Sequence, residues 1–391
     1  MKKVLLFIVC MFLVIPFVNA EENNILAKSA KSAILIEEST GEVLYEFNSH
    51  EKLEPASMTK MMSLLLIMEA IEKGVIKWNQ MITVSENASS MGGSQILLET
   101  GEQMSVDDLV KGIAIASGND AVVALAEAIA GTEENFVKMM NDKVKELGLK
   151  DTNFKNCHGL DEEGHYSSAH DMAYIGRELV KHNKILEYSS IYESYLREGT
   201  NKKIWLVNTN KLVRFKKGVD GLKTGYTDGA GFCLTATMKQ DGMRVIATVM
   251  GEPDSGTRNS EVSSLLDYAF SQVGIKKVLS KKSVIEKINL SKAKIDEVEI
   301  VPIDDVKILY KKVDGQFTPT YNVKINKIKT PIKKGDIVGS LYVMNDKKIV
   351  NEVKLTVSKN IDKCNLFELY FKYLKNIIGG NISFLNYIAF L

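Results

Sequence analysis

The pattern of apolar and polar positions divides the chain into segments of different texture. Ala33 to Glu37 and Val43 to Phe47 read as two strands around Ser39-Thr40-Gly41, a hairpin. Pro55-Ala56 leads into Ser57 to Lys73, so rich in Met and Leu that it reads as a buried helix, with Gly74 as its stop. Ser105 to Asp108 resembles a capping box opening an apolar helix through Ala116. Helical patterns continue over Ala121 to Ala130, Glu133 to Leu147 and Ala169 to His182. The texture changes over Gly221 to Gly251: Phe232 to Met238 and Met243 to Met250 are strand-like, and Asp241-Gly242 between them is a hairpin signal. A helix over about Ser260 to Val273 closes the region.

Strands, many helices, more strands and one helix predict an α+β architecture: an antiparallel sheet flanked by helices, plus a helical cluster. These elements fill residues 24–275. A Lys-rich link follows Lys276, and residues 280–360, dense in Val, Ile and Thr, predict a small all-β domain. Within 363–391, Glu368, Lys372, Lys375 and Asn376 form one polar stripe at helical spacing, while Leu366, Phe367, Leu369, Tyr370 and Phe371 cover other faces. Such a helix suits a membrane interface, with docking on the β domain as the alternative. At the other end, Lys2 and Lys3 precede an apolar run from Val4 to Ile15, and Val18-Asn19-Ala20 offers small residues at a cleavage site. Residues 1–20 therefore read as a signal peptide, and the protein as exported.

Length and charge narrow the picture further. A chain of 391 residues has room for two folded units, and 50 basic against 49 acidic side chains give no electrostatic reason to expect nucleic acid. Of four cysteines, Cys10 lies in the leader, and Cys157, Cys233 and Cys364 are too few for a disulfide framework. They are expected to be free thiols. Cys157, His158, His165 and His170 lack the spacing of a known metal motif, so neither a metal nor a cofactor is expected.

Three short segments carry the chemistry: Ser57-Met58-Thr59-Lys60, Ser117-Gly118-Asn119 and Lys223-Thr224-Gly225. S-x-x-K alone is a weak signal, since Ser49 to Lys52 and Ser291 to Lys294 also fit it. Ser57 differs because it opens an apolar helix, where spacing of three places Lys60 beside its hydroxyl. A serine needs a base to become a nucleophile, and lysine can serve only when neutral. Burial and a second cation, with Lys223 the candidate, both favour the neutral amine.

Together the segments resemble the serine-type D-alanyl-D-alanine carboxypeptidases, the low-molecular-mass penicillin-binding proteins. The likeness extends to Gly93-Ser94 with Gly101-Glu102, to His165-Tyr166-Ser167-Ser168-Ala169, and over about Ala33 to Val273. It implies a β-lactamase/transpeptidase-like fold and a hydrolase that removes the terminal D-alanine from peptidoglycan stem peptides ending in D-Ala-D-Ala. β-Lactams would acylate it covalently. By the same resemblance Ser57 is the nucleophile, Lys60 its base, and Ser117 the proton relay to the leaving amine. Asn119 would bind the substrate backbone and Lys60. Lys223, Thr224, Gly225 and Arg258 would hold the substrate and its carboxylate, and the backbone N–H groups of Ser57 and Tyr226 would form the oxyanion hole. The enzyme would sit on the outer face of the cytoplasmic membrane, held peripherally by its C-terminal helix. A class A-like β-lactamase, a transpeptidase and a non-catalytic wall-binding scaffold are the alternatives; for the first, Glu162 and Glu163 are the only candidates for a deacylating glutamate. The segment Ser85 to Glu102 reads as a lid or as an ordinary surface connection.

Overall fold

The computed structural model describes residues 26–374. The predicted leader, and the part of the tail beyond residue 374, lie outside this range. Ser32–Glu37 and Val43–Phe47 form the expected hairpin at one end of a five-stranded antiparallel sheet. Across the sheet the order is Val43–Phe47, Ser32–Glu37, Met243–Glu252, Gly231–Gln240 and Val219–Thr227. Asp241 and Gly242 both adopt positive φ, the geometry of a tight hairpin turn.

Both faces of the sheet are covered, which is why Ser32–Glu37 is buried along its whole length instead of alternating. Ala33 and Leu35 pack with Leu234, Ala247 and Val249 beneath the helix Ser255–Gln272, through Val262, Leu265 and Leu266. Ile34 and Ile36 join the opposite core with Cys233, Ile246 and the helical cluster. At the centre of that cluster runs Lys60–Glu72, apolar on every side and buried from Lys60 to Met68. Such a helix has no solvent face to offer, so others surround it. Asn119–Ala130, Glu133–Glu146 and Ala169–Leu179 do so.

Several boundaries differ from the sequence reading. Ser57 does not lie in an α-helix but in a 3-10 turn, Ala56–Thr59, and the α-helix begins at Lys60. The closing helix begins at Ser255, five residues before the periodic pattern does, because the Asp254 carboxylate caps the N–H groups of Gly256 and Thr257. The Lys-rich link is largely a strand: Val273–Leu279 pairs antiparallel with Val306–Lys311. Its two lysines, Lys276 and Lys277, are adjacent and exposed, flanked by half-buried Ile275 and Val278. The expected all-β unit follows, with the sheet order Glu286–Asn289, Glu297–Pro302, Lys348–Val357, Gly339–Asn345 and Thr320–Ile325 around its own core.

The segment Ser85 to Glu102 is a fixed connection at its centre. The buried Asp120 carboxylate accepts hydrogen bonds from the backbone N–H groups of Ile96, at 3.1 Å, and Leu98, at 3.0 Å. Arg197 holds the same stretch from outside through Glu102 and the Ile96 and Leu97 carbonyls. Replacing Asp120 by Ala leaves two buried N–H groups without an acceptor, at about 1–3 kcal/mol each. The Asp120→Ala protein is expected to lose ~2–5 kcal/mol in chemical denaturation. A loss below ~1 kcal/mol would mean that Asp120 does not hold the segment.

Candidate active site

The site assembles where the 3-10 turn, the junction of two helices and an edge strand meet. In a 3-10 turn, residues three apart eclipse one another. Lys60 Nζ therefore reaches Ser57 Oγ at 2.9 Å. The same amine donates to the carbonyl oxygen of His158 at 2.6 Å, a partner the sequence offers no sign of. Lys60 is fully buried, and burial lowers its pKa from the ordinary lysine value to about 7. Cys157 and Asp120 nearby oppose that shift. Removal from water is the leading cause, ahead of any second cation.

Lys223 lies on the strand Val219–Thr227 and is also buried. Its pKa falls well below the lysine range, first through burial, then through the charges of Lys60 and Arg258. Lys223 Nζ donates to its neighbour's carbonyl, that of Thr224, at 3.1 Å. The Thr224 hydroxyl is bonded to Thr209 Oγ1 at 2.7 Å, and Thr209 N–H donates to Ile115 O. Thr209 thus ties the strand to the helix ahead of Ser117, a connection without a sequence signal. Gly225 has a packing reason: a Cβ there would stand 2.8 Å from Pro55 O and 3.1 Å from Ala56 Cβ. Only a bare backbone lets the strand lie against the turn that carries Ser57. Tyr226 is exposed, its ring against Phe232 at 4.3 Å and its hydroxyl donating to Asp228.

Ser117 occupies the left-handed region, φ 65°, as the cap between Val106–Ala116 and Asn119–Ala130. Its hydroxyl is buried without a hydrogen-bond partner among the described residues. Asn119 departs from expectation. Its amide Nδ2 donates to Gly92 O at 2.6 Å, and its Oδ1 has no partner, so the expected bond to Lys60 is not formed. His158 O takes that place. Gly93, with φ +77°, gives the Asn119 amide room: a Cβ there would fall 2.8 Å from Nδ2. Arg258 is buried, and among the described residues its side chain hydrogen-bonds only Asn259 Oδ1 and forms no ion pair.

The wall behind the Ser57 turn is His158-Gly159. Gly159 has φ +91°, and a Cβ there would lie 1.9 Å from Ala56 O. His165 latches this wall to the turn. Its Nδ1 accepts from Lys155 N–H at 3.0 Å, so its Nε2 carries the proton and donates to Thr59 Oγ1 at 2.8 Å. Burial lowers the pKa values of His158 and His165 to about 4, so both are neutral in ordinary buffers. Glu162 accepts from Asn156 Nδ2 at 3.1 Å. Cys157, Cys233 and Cys364 are free and buried. Among the described residues no group of three or more His, Cys, Asp or Glu is placed to hold a metal ion.

Residues 18–254 match the family described as D-alanyl-D-alanine carboxypeptidase. This chain belongs to that family. Residues 275–363 match the C-terminal domain of penicillin-binding protein 5. Among relatives, the D-alanyl-D-alanine carboxypeptidase DacF of Bacillus subtilis (strain 168) is 48% identical over 360 residues, 92% of each chain. DacC of Escherichia coli (strain K12), also a D-alanyl-D-alanine carboxypeptidase, is 34% identical over 378 residues, 91% of each chain. Penicillin-binding protein 5 of Haemophilus influenzae superposes with a TM-score of 0.69 at 32% identity, covering 85% of this chain and 98% of that one. Penicillin-binding protein D2 of Listeria monocytogenes, solved with cefotaxime bound, gives a TM-score of 0.56 at 30% identity over 62% of this chain and 97% of that one. The α+β fold of the family, followed by an all-β domain, is the one described above.

A base with a pKa of about 7 makes a specific pH profile. Acylation by a β-lactam, followed by stopped flow, should rise nearly tenfold per pH unit below about 7 and level off above it. His158 and His165 titrate well below this window, and Glu252, raised to about 8 by burial and by Glu261, titrates above it. A flat profile between about pH 5.5 and 7.5 would remove Lys60 as the base.

Proposed function

We propose that this protein is a serine D-alanyl-D-alanine carboxypeptidase that removes the terminal D-alanine from peptidoglycan stem peptides through an acyl-enzyme on Ser57. The observation that carries the reading is the 2.9 Å contact between Ser57 Oγ and an amine whose pKa burial has lowered to about 7. Neutral Lys60 takes the hydroxyl proton as Ser57 Oγ adds to the penultimate D-alanine carbonyl. The backbone N–H groups of Ser57 and Tyr226 face the developing oxyanion. The C–N bond then breaks, and D-alanine leaves with a proton delivered through Ser117, whose buried hydroxyl has no competing partner. Water hydrolyses the ester with the same groups in reverse. Lys223, Thr224 and Arg258 bind the substrate carboxylate, Asn119 Oδ1 accepts from the substrate backbone, and Gly225 lets the strand come close. A β-lactam follows the first step and remains as the ester.

This division assigns catalysis to 24–275 and leaves 280–360 as a separate β unit. Residues 1–20 act as an export signal, and the enzyme works outside the cytoplasm. The tail attaches it to the membrane surface. Among the described residues no helix is long and apolar enough to cross a membrane. In the helix 366–374 the polar stripe faces the β unit. Lys372 reaches Asp296 at 3.0 Å and the Ala293 carbonyl at 3.0 Å, and Glu368 reaches Lys294 at 3.1 Å. Leu366, Phe367, Tyr370 and Phe371 are left exposed. Docking and membrane attachment are therefore compatible, each using one side of the helix.

Ser57→Ala should abolish both fluorescent-penicillin labelling and D-alanine release from a stem-peptide mimic. Labelling that decays within seconds in the wild type would instead point to a β-lactamase. In the full chain, Phe367→Ser with Phe371→Ser should lower partitioning onto anionic liposomes about tenfold, with labelling unchanged. Unchanged partitioning would detach this helix from the membrane role.

A further inference from the structure

The hairpin Glu193–Leu196 and Ile204–Val207 has two unlike faces. Leu196 and Leu206 are buried in the helical core. Alternation then turns Tyr195 and Trp205 outward, directly opposite each other in register, 41% and 57% exposed. A cation lies on one of these rings: Lys203 Nζ is 3.8 Å from the Tyr195 centroid. Lys202, its chain neighbour, pairs with Glu99, whereas Lys203 forms no ion pair among the described residues. Two large rings in register with an unneutralised cation form a docking face.

Its occupant follows from its position. Trp205 stands four residues before Thr209, whose hydroxyl is 2.7 Å from that of Thr224 on the proposed substrate strand. At about 3.3 Å per residue the platform begins within ~13 Å of that strand. Arg197, at the other strand's end, is bonded to Glu102 and to the segment beside Asn119. We propose that this face docks the glycan strand of the polymer whose stem peptide enters the site. Pyranose rings present apolar C–H faces that stack on Tyr195 and Trp205, and a carboxylate of a neighbouring stem meets Lys203. The inference rests on the carboxypeptidase reading and adds where the rest of the substrate lies. A lipid surface gains nothing from adjacency to the substrate strand, and the exposed tail aromatics already lie on the β unit.

The test compares full-chain wild type with Tyr195→Ala/Trp205→Ala on purified peptidoglycan and on a soluble acyl-D-Ala-D-Ala peptide. For the variant, KM on the polymer should rise about tenfold and co-sedimentation with the polymer should fall in step. Its turnover of the soluble peptide and its β-lactam acylation should stay within about twofold of wild type. Lys203→Ala should weaken polymer binding in a salt-dependent way and leave the peptide reaction intact. Unchanged polymer kinetics in both variants would overturn the proposal. So would loss of liposome binding or of self-association with polymer kinetics preserved, which would assign the face to lipid or to a second copy. Equal loss on polymer, peptide and β-lactam would make the hairpin part of the catalytic fold and overturn docking as well. Wild type that co-sediments with polymer yet releases no D-alanine would refute the carboxypeptidase reading alone.

Discussion

Placing an amine where water cannot solvate it is the constraint on which this catalytic unit is built. Lysine in water is charged and useless as a base, and its side chain is long enough to escape to solvent from most sites. Here escape is blocked because Lys60 begins a helix that is apolar on all sides and enclosed by three others. The amine keeps two partners, Ser57 Oγ and His158 O, so burial does not strand it. The size of the helical cluster, the glycine wall at Gly159 and the Asp120 anchor all serve to keep that one nitrogen dry and aimed.

Much of this was legible in the sequence because it is written in local patterns. Apolar runs bounded by caps and glycines point to two hairpins and the longer helices, but not to the hairpin Glu193–Leu196/Ile204–Val207 or the short helices Lys184–Ser189 and Leu212–Phe215; the three short motifs single out Ser57, Lys60, Ser117 and Lys223. What stayed hidden is carried by backbone atoms or by partners distant in the chain. The His158 carbonyl is an acceptor that any residue at that position would provide, so no side chain announces it. Thr209 and His165 look like ordinary polar residues until folding brings them to Thr224 and Thr59. The 3-10 turn around Ser57 was read as α-helix since both place residues three apart on one side. The polar first turn of the helix at Ser255 and the adjacent Lys276 and Lys277 inside the strand Val273–Leu279 carry no apolar period, so neither element announces itself.

Electrostatics divides the labour among the buried cations. Lys60 and Lys223 are both depressed by burial, and each charge disfavours the other, so a proton entering the site is held weakly. A substrate carboxylate changes that balance by supplying the missing counter-charge. The Glu252 carboxyl, buried with neither oxygen hydrogen-bonded to a donor and with its pKa raised to about 8, adds no full negative charge near Arg258 at neutral pH. The Arg258 charge is thus left without a full counter-charge from that carboxyl.

The central sheet joins distant parts of the chain: Ser32–Glu37 lies between its hairpin partner and Met243–Glu252. A chain that emerges amino end first presents Ser57 long before the strand that completes the sheet beside it. The first hairpin must wait, one edge unpaired, until some two hundred later residues have emerged. A chain cut off before Met243 leaves that edge with no partner, an open sheet in search of one.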